Sequence, residues 1–323
     1  MSSLSMALPH SDLLTLLGGL MAVLVAASLV GYVLQRRLSP DGSSAVVENL
    51  NDRIRAWWAM VVLMGLALIG GRTGVALLFG FCSFAALREF VTLTNTRRAD
   101  HWALAAAFFI VLPFQYYLIW IAWYGLYSIF IPVYAFLLMP IVAVLRGDTD
   151  HFLVRIAEVQ WALMICVFCV SHVPALLSLE IPGYEGRNVL LIAFLVLVVQ
   201  TSMVVQHLVG RRWPRAPLAP NISSSFHLRS WLIGIVSGGI VGGLISGITP
   251  FKPGQALGMA LIACIAGSLG HLVMKALRRD RGVPLWGAQG RGLTGASGLL
   301  VRVDALCFAA PVFFHSVRWY FGL

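Results

Sequence analysis

Long apolar runs recur from one end of the chain to the other, and nothing else in it restricts the fold so tightly. Each is close to the roughly 17–25 residues that carry a helix across a hydrocarbon core of about 30 Å. Ten candidate spans can be delimited: Leu13–Leu34, Ala56–Gly71, Thr73–Leu87, Trp102–Trp120, Leu126–Leu145, Gln160–Leu177, Val189–Leu208, Ser230–Ile248, Ala256–Met274 and Ala305–Tyr320. The second and third are short and separated only by Arg72, which predicts a tight helical hairpin. The last is short as well, so nine or ten transmembrane helices are expected. The alternation of barrel strands is absent, and the expected class is all-α, a polytopic helical membrane protein. Composition agrees: 59% of residues are hydrophobic and 11% charged, against about 25% charged in an average soluble domain.

Cytoplasmic loops gather Lys and Arg, so the basic residues test this span count. Starting after the first span, alternate loops carry Arg36, Arg37, Arg53 and Arg55; then Arg88, Arg97 and Arg98; then Arg146 and Arg155. Next come Arg211, Arg212, Arg215 and Arg229, and finally Lys275, Arg278, Arg279, Arg281, Arg291 and Arg302. Only Arg72, Arg187, Lys252 and Arg318 of the 23 basic residues fall on the other side. The basic side is expected to be cytoplasmic, which places both termini in the periplasm. A net charge of +10 on such loops suits anionic lipid surfaces and anionic substrates. Nucleic acid is not an expected partner, because the charge is spread over five loops between spans.

The first twelve residues hold no Lys or Arg and the first apolar run is long, so it reads as a span and not as a cleaved signal peptide. All five cysteines sit in or beside apolar spans. Cys166 and Cys169 share a helix face, but small buried residues are the better reading there than metal thiolates. Residues 35–55 read as a polar linker with a Ser-Pro-Asp-Gly-Ser-Ser turn, leaving the first span peripheral. No internal repeat of the kind found in inverted-repeat transporters is present. In the eighth span, Gly239, Gly243 and Gly247 line one face, which suits either internal packing or a homodimer seam.

Carboxylates are the scarce resource. From Asn188 to the C-terminus there are only Asp280 and Asp304. Arg211, Arg212 and Arg215 with Ser223, Ser224 and Ser225 can bind phosphate through guanidinium and hydroxyl groups. The same pattern suits a basic anchor followed by a helix cap. After Lys275, the Arg278-Arg279-Asp280-Arg281 run leads into a loop with six glycines from Gly282 to Gly298, where backbone N–H groups can approach phosphates. A surface or reentrant loop is the plainer reading, since no P-loop pattern is present. His207, His227 and His271 lie at helix ends or in a basic loop, where packing is a better expectation than proton transfer for any one of them. Glu89, after Arg88, either pairs with a basic loop residue or marks an exposed helix end.

The chain resembles the phosphatidate cytidylyltransferase (CDP-diacylglycerol synthase) family from about Arg53 onward. The likeness is carried by Arg53-Ile54-Arg55-Ala56-Trp57-Trp58, Ala86-Leu87-Arg88-Glu89-Phe90 and Ile181-Pro182-Gly183-Tyr184-Glu185-Gly186-Arg187-Asn188. Ala219-Pro220-Asn221-Ile222-Ser223, Leu300-Val301-Arg302-Val303-Asp304 and Phe308-Ala309-Ala310-Pro311-Val312-Phe313 continue it. The resemblance divides the chain into an N-terminal span and linker (1–52) and a cytidylyltransferase-like membrane domain (53–323). It implies a bacterial inner-membrane protein of phospholipid synthesis and a reaction of CTP with phosphatidate to give CDP-diacylglycerol and pyrophosphate. Divalent metal, Mg²⁺, would be held by acidic helix ends.

The departures fall on the chemical positions. Met203 stands where the family has an Asp in the seventh span. Phe226 and Arg229 stand for a Lys and a Glu, Pro284-Leu285 for Lys-Asp, Ala296 for a His, and Val301 for the first Asp of the C-terminal signature. Neutral apolar side chains cannot coordinate Mg²⁺, so transfer activity is expected to be weak or lost. If activity survives, the resemblance assigns Asp304 and Arg302 to catalysis, Asp304 and Asp280 to metal, and Ser223, Lys275 and Arg211 to the substrate phosphates. Otherwise the expectation is a pseudoenzyme that binds anionic lipid or serves as scaffold partner of an active lipid-synthesis enzyme. A lipid transporter is the weaker alternative, because Gln200, Thr201, Ser202 and Gln206 are too few for a polar pathway.

Overall fold

The computed structural model describes residues 45–94, 96–213, 215–223, 226–283 and 298–323, with isolated helical positions between 18 and 36. The candidate span Leu13–Leu34 thus lies almost wholly outside the described residues, as do Ser224, Ser225, Pro284, Leu285, Arg291 and Ala296. Among the described residues from 45 onward, nine helices follow in order: α1 (Ala45–Ile69), α2 (Gly71–Val91), α3 (Arg98–Trp120), α4 (Tyr124–Val144), α5 (Phe152–Ser178), α6 (Val189–Arg212), α7 (Leu228–Leu244), α8 (Pro253–Asp280) and α9 (Leu300–Phe321). Among the described residues there is no β-strand. Seven of the helices are long and apolar enough to cross a membrane; α7 and the apolar part of α1, Trp58–Ile69, are shorter. Large apolar side chains such as Phe81, Phe109 and Leu137 stand on the outside, as they do where the solvent is lipid. This is a multi-pass, all-α membrane protein.

Two boundaries differ from the sequence reading. Residues 45–55 are helical and not a flexible tether. From Ala45 to Met64 no Gly or Pro interrupts the run, so the polar stretch can continue the apolar helix that follows it. At the other end of the bundle sequence, α8 continues six residues past Met274, carrying Lys275 to Asp280 on a helix. Long cationic side chains reach water from such an extension while the backbone keeps its hydrogen bonds. The expected hairpin is present: α1 and α2 meet at Gly70 and Gly71, the latter at φ +59°, where glycine carries no Cβ penalty.

The helices alternate in direction, and contacts tie each end of the bundle. At one end the Arg72 guanidinium donates to Ile119 O (2.6 Å), Arg318 lies 3.6 Å over the Tyr124 ring, and the Tyr184 hydroxyl donates to Ile248 O. At the other end Arg281 meets Glu158, Arg279 meets Asn221, and Glu89 meets the start of α9. That second end carries Arg278, Arg279 and Arg281 at the close of α8 and Arg88 near the close of α2. Three helices contain a π-turn: Ala107–Val111, Phe130–Ala135 and Met164–Cys169. Each lies at or just before a proline (Pro113, Pro132, Pro174), whose missing N–H and ring displace the i→i−4 ladder.

Close backbone packing joins α6, α7 and α8. A Cβ on Gly234 would stand 2.7 Å from Ser202 O, one on Gly238 2.5 Å from Cys264 Sγ and 2.9 Å from Val198 O, and one on Gly242 2.4 Å from the Ala260 Cβ. The inward row is therefore Gly234, Gly238 and Gly242. In the row singled out by sequence, Gly239 presses on Leu261, Gly243 makes ordinary contact with Leu257, and Gly247 meets nothing within 4 Å. Close helix approach here serves internal packing, one of the two readings of the glycine-rich span, on a face one residue away.

Candidate functional site

α8 and α9 bring the chemistry of the basic end together. His271 and Lys275 stand four residues apart on α8 and so share one face. Asp304, in the second turn of α9, is buried. His271 Nδ1 donates to Asp304 Oδ2 at 2.6 Å, and the Ala305 N–H donates to Asp304 Oδ1 at 2.6 Å. One helical turn further along α8, Lys275 Nζ donates to the Ser223 hydroxyl at 3.3 Å. The Asp304 carboxylate is close enough to Lys275 for their charges to interact.

Ser223 is presented by a small closed loop. Its N–H donates to Ala219 O (2.8 Å), the Leu218 N–H donates to Phe226 O (2.8 Å), and Arg279 on α8 donates to Asn221 O (2.5 Å). Phe226 is buried beneath this loop with its ring 6.1 Å from Trp231. The Trp231 indole in turn donates to Ser268 on α8 at 2.8 Å. Local chain reversal and an apolar plug hold the hydroxyl in place.

The start of α9 is held by Glu89, at the end of α2. The Leu299 N–H donates to Oε1 at 2.7 Å and the Leu300 N–H to Oε2 at 2.9 Å. The carboxylate supplies two of the acceptors that a helix N-terminus lacks and complements its positive end. A Cβ on Gly298 would stand 2.5 Å from Glu89 Oε2, so glycine is what allows the approach. Glu89 thus meets backbone rather than a basic side chain, and it sets the height of Asp304 relative to α8.

Other expected site residues lie apart from this cluster. Asp280 is exposed at the last residue of α8, 3.2 Å from Arg281, and stands about 13 Å along the axis from His271. Arg211 is exposed in the last turn of α6. Arg302 precedes Asp304 by two positions, about 200° around the helix, and so leaves α9 on a different side. Met203, Val301 and Val303 pack against the apolar core. The Ile181–Asn188 stretch lies at the opposite end, where Gly183 and Gly186 take positive φ and Asn188 Nδ2 donates to Leu179 O at 2.6 Å. Its role there is to turn the chain between α5 and α6.

Two further features border the site. Arg155, almost fully buried, donates to Asp148 Oδ2 (2.7 Å) and Asp148 O (2.9 Å) and lies 3.6 Å from Asp100, which locks the loop between α4 and α5. The Arg155 guanidinium holds the Asp148 carboxyl below the usual carboxylate range. Between the ends of α2, α5 and α8 is an apolar cleft of about 350 Å³, lined by Phe90, Leu93, Val154, Trp161 and Leu277, with the Arg281–Glu158 pair (2.7 Å) in its wall.

The donor set was tested against Mg²⁺, which takes near-octahedral oxygen ligands. Among the described residues no three His, Cys, Asp or Glu side chains converge. Both oxygens of Asp304 and both of Glu89 already accept hydrogen bonds, and the ammonium of Lys275 stands beside the former. Residues 284–297, outside the described set, contain no His, Cys, Asp or Glu. These residues do not fit a divalent cation.

The chain is thus a multi-pass helical membrane protein, with Lys, Ser and His side chains beside one carboxylate at its basic end. A model of the cytidylyltransferase family matches residues 51–320. The chain is also 33% identical over 307 residues to "Uncharacterized protein YnbB" of Escherichia coli (strain K12), with 94% of this chain and 97% of that one covered. The chain belongs to the cytidylyltransferase family, that of phosphatidate cytidylyltransferase.

Proposed function

We propose that this protein works in phospholipid metabolism at the bacterial inner membrane, binds an anionic lipid phosphate at its basic end, and has weak or no cytidylyl-transfer activity. That end is cytoplasmic in this reading, and both termini are periplasmic. The observation that carries it is the Lys275–Ser223 and His271–Asp304 constellation, which offers donors to a phosphate and few oxygens to a metal. Phosphatidate is the substrate class that family membership favours, and the neighbouring apolar cleft suits part of an acyl chain. The core packing of Met203 and Val301 favours lost transfer over a relocated metal site. A role as partner of an active lipid-synthesis enzyme, or as a homodimer, accords with this reading.

The test is turnover. Purified full-length protein given CTP, phosphatidate and Mg²⁺ is expected to form CDP-diacylglycerol no faster than a control preparation, or orders of magnitude more slowly than an active family member, because catalytic groups act as a unit. Robust product formation that Asp304→Asn abolishes would overturn the lost-activity reading.

A further inference from the structure

We infer that the Lys275, Ser223, His271 and Asp304 constellation is a phosphomonoester site that works without a divalent cation, in which Asp304 positions His271. The inference rests on the proposed binding of a lipid phosphate at this end and adds how that phosphate is held. Lys275 brings a full positive charge on a half-buried side chain, and its ammonium has donors beyond the one given to Ser223. His271 has one ring nitrogen committed to Asp304, so Nε2 is the nitrogen left for a ligand, and the side chain is 22% exposed. An imidazolium between a carboxylate and a phosphate oxygen donates from both nitrogens.

The Asp304 carboxylate would repel an anion if its oxygens faced the ligand. One oxygen is taken by His271 and the other by the Ala305 N–H, so its charge reaches the ligand through the imidazole. Asp304 is thus a positioning residue. Ser223, held rigid by its loop, is the neutral hydroxyl partner. The Lys275 ammonium, the Nε2 side of His271 and the Ser223 hydroxyl give three contact points, which match the three terminal oxygens of a monoester better than the two of a diester.

The experiment uses full-length protein in detergent and calorimetric titration with dioctanoyl phosphatidate, in EDTA and in Mg²⁺. Affinity is expected to agree within about twofold between the two buffers. Losing a charge-assisted contact makes Lys275→Met bind about tenfold or more weakly, while Lys275→Arg keeps most of the affinity. Asp304→Asn is expected to reduce the preference for phosphatidate over dioctanoyl phosphatidylglycerol, which a merely structural role would leave unchanged. If Lys275→Met fails to fold, Lys275→Gln and His271→Asn carry the same comparison. Binding that vanishes in EDTA, or that Lys275 variants leave intact, overturns the metal-free site but leaves lipid-phosphate binding standing. Absence of phosphatidate binding in both buffers overturns the proposed function and this inference with it.

Discussion

Glu89→Ala is expected to loosen the start of α9 and lower the unfolding midpoint in detergent by roughly 5 °C or more. Its carboxylate accepts the N–H groups of both Leu299 and Leu300, and among the described residues no other side chain supplies those acceptors. A hydrogen bond to a charged group contributes about 1.5–3 kcal/mol, and a donor left unpaired at a packed helix end adds its desolvation cost. Glu89→Gln keeps one acceptor oxygen and replaces the other with a donor facing an N–H, so it is expected to lose most of the same stability. Limited proteolysis between Gly282 and Leu299 should quicken in both variants. A midpoint unchanged within 1 °C for Glu89→Ala would mean that the clasp does not hold α9.

Gly238→Val is the second large effect. Its new Cβ would enter at 2.5 Å from Cys264 Sγ and 2.9 Å from the Val198 carbonyl, so α6 and α8 must both move. Overpacking costs typically about 1–3 kcal/mol, and a wall that includes backbone puts this variant at or beyond the upper end. Gly247→Val, with nothing within 4 Å, is the control and should leave the midpoint unchanged. Equal losses at the two positions would show that the close approach of α7 does not set the cost.

The architecture was legible because hydrocarbon imposes length and apolarity on every span. Alternating basic loops then ordered the spans, and the contacts Arg281–Glu158 and Arg72–Ile119 join ends that this alternation puts on the same side. Less legible was where helices end. Charged residues after an apolar run read as loop, yet Lys275 and Asp280 continue α8. The inward glycine row was missed by one residue because α7 carries glycine on several faces.

The site was legible in part. Asp304, Lys275 and Ser223 were named from the sequence, and the structure brings them into one cluster. His271 was read as packing, although its spacing of four from Lys275 was the available signal. Its bond to Asp304 spans 33 residues, and the Glu89 clasp spans 210. Such pairings depend on how helices stack, which periodicity within one helix does not encode. Met203 and Val301, singled out as replacements for carboxylates, pack into the core as their chemistry dictates.

The central claim is that the basic end holds a lipid phosphate. It is tested most directly by photocrosslinking the full-length protein with a phosphatidate carrying a diazirine close to the glycerol. Adducts are expected on the peptides that hold Ser223, His271 and Lys275, competed by unlabelled phosphatidate and reduced in Lys275→Met. Adducts confined to the opposite end, around Tyr184 and Ile248, would contradict it.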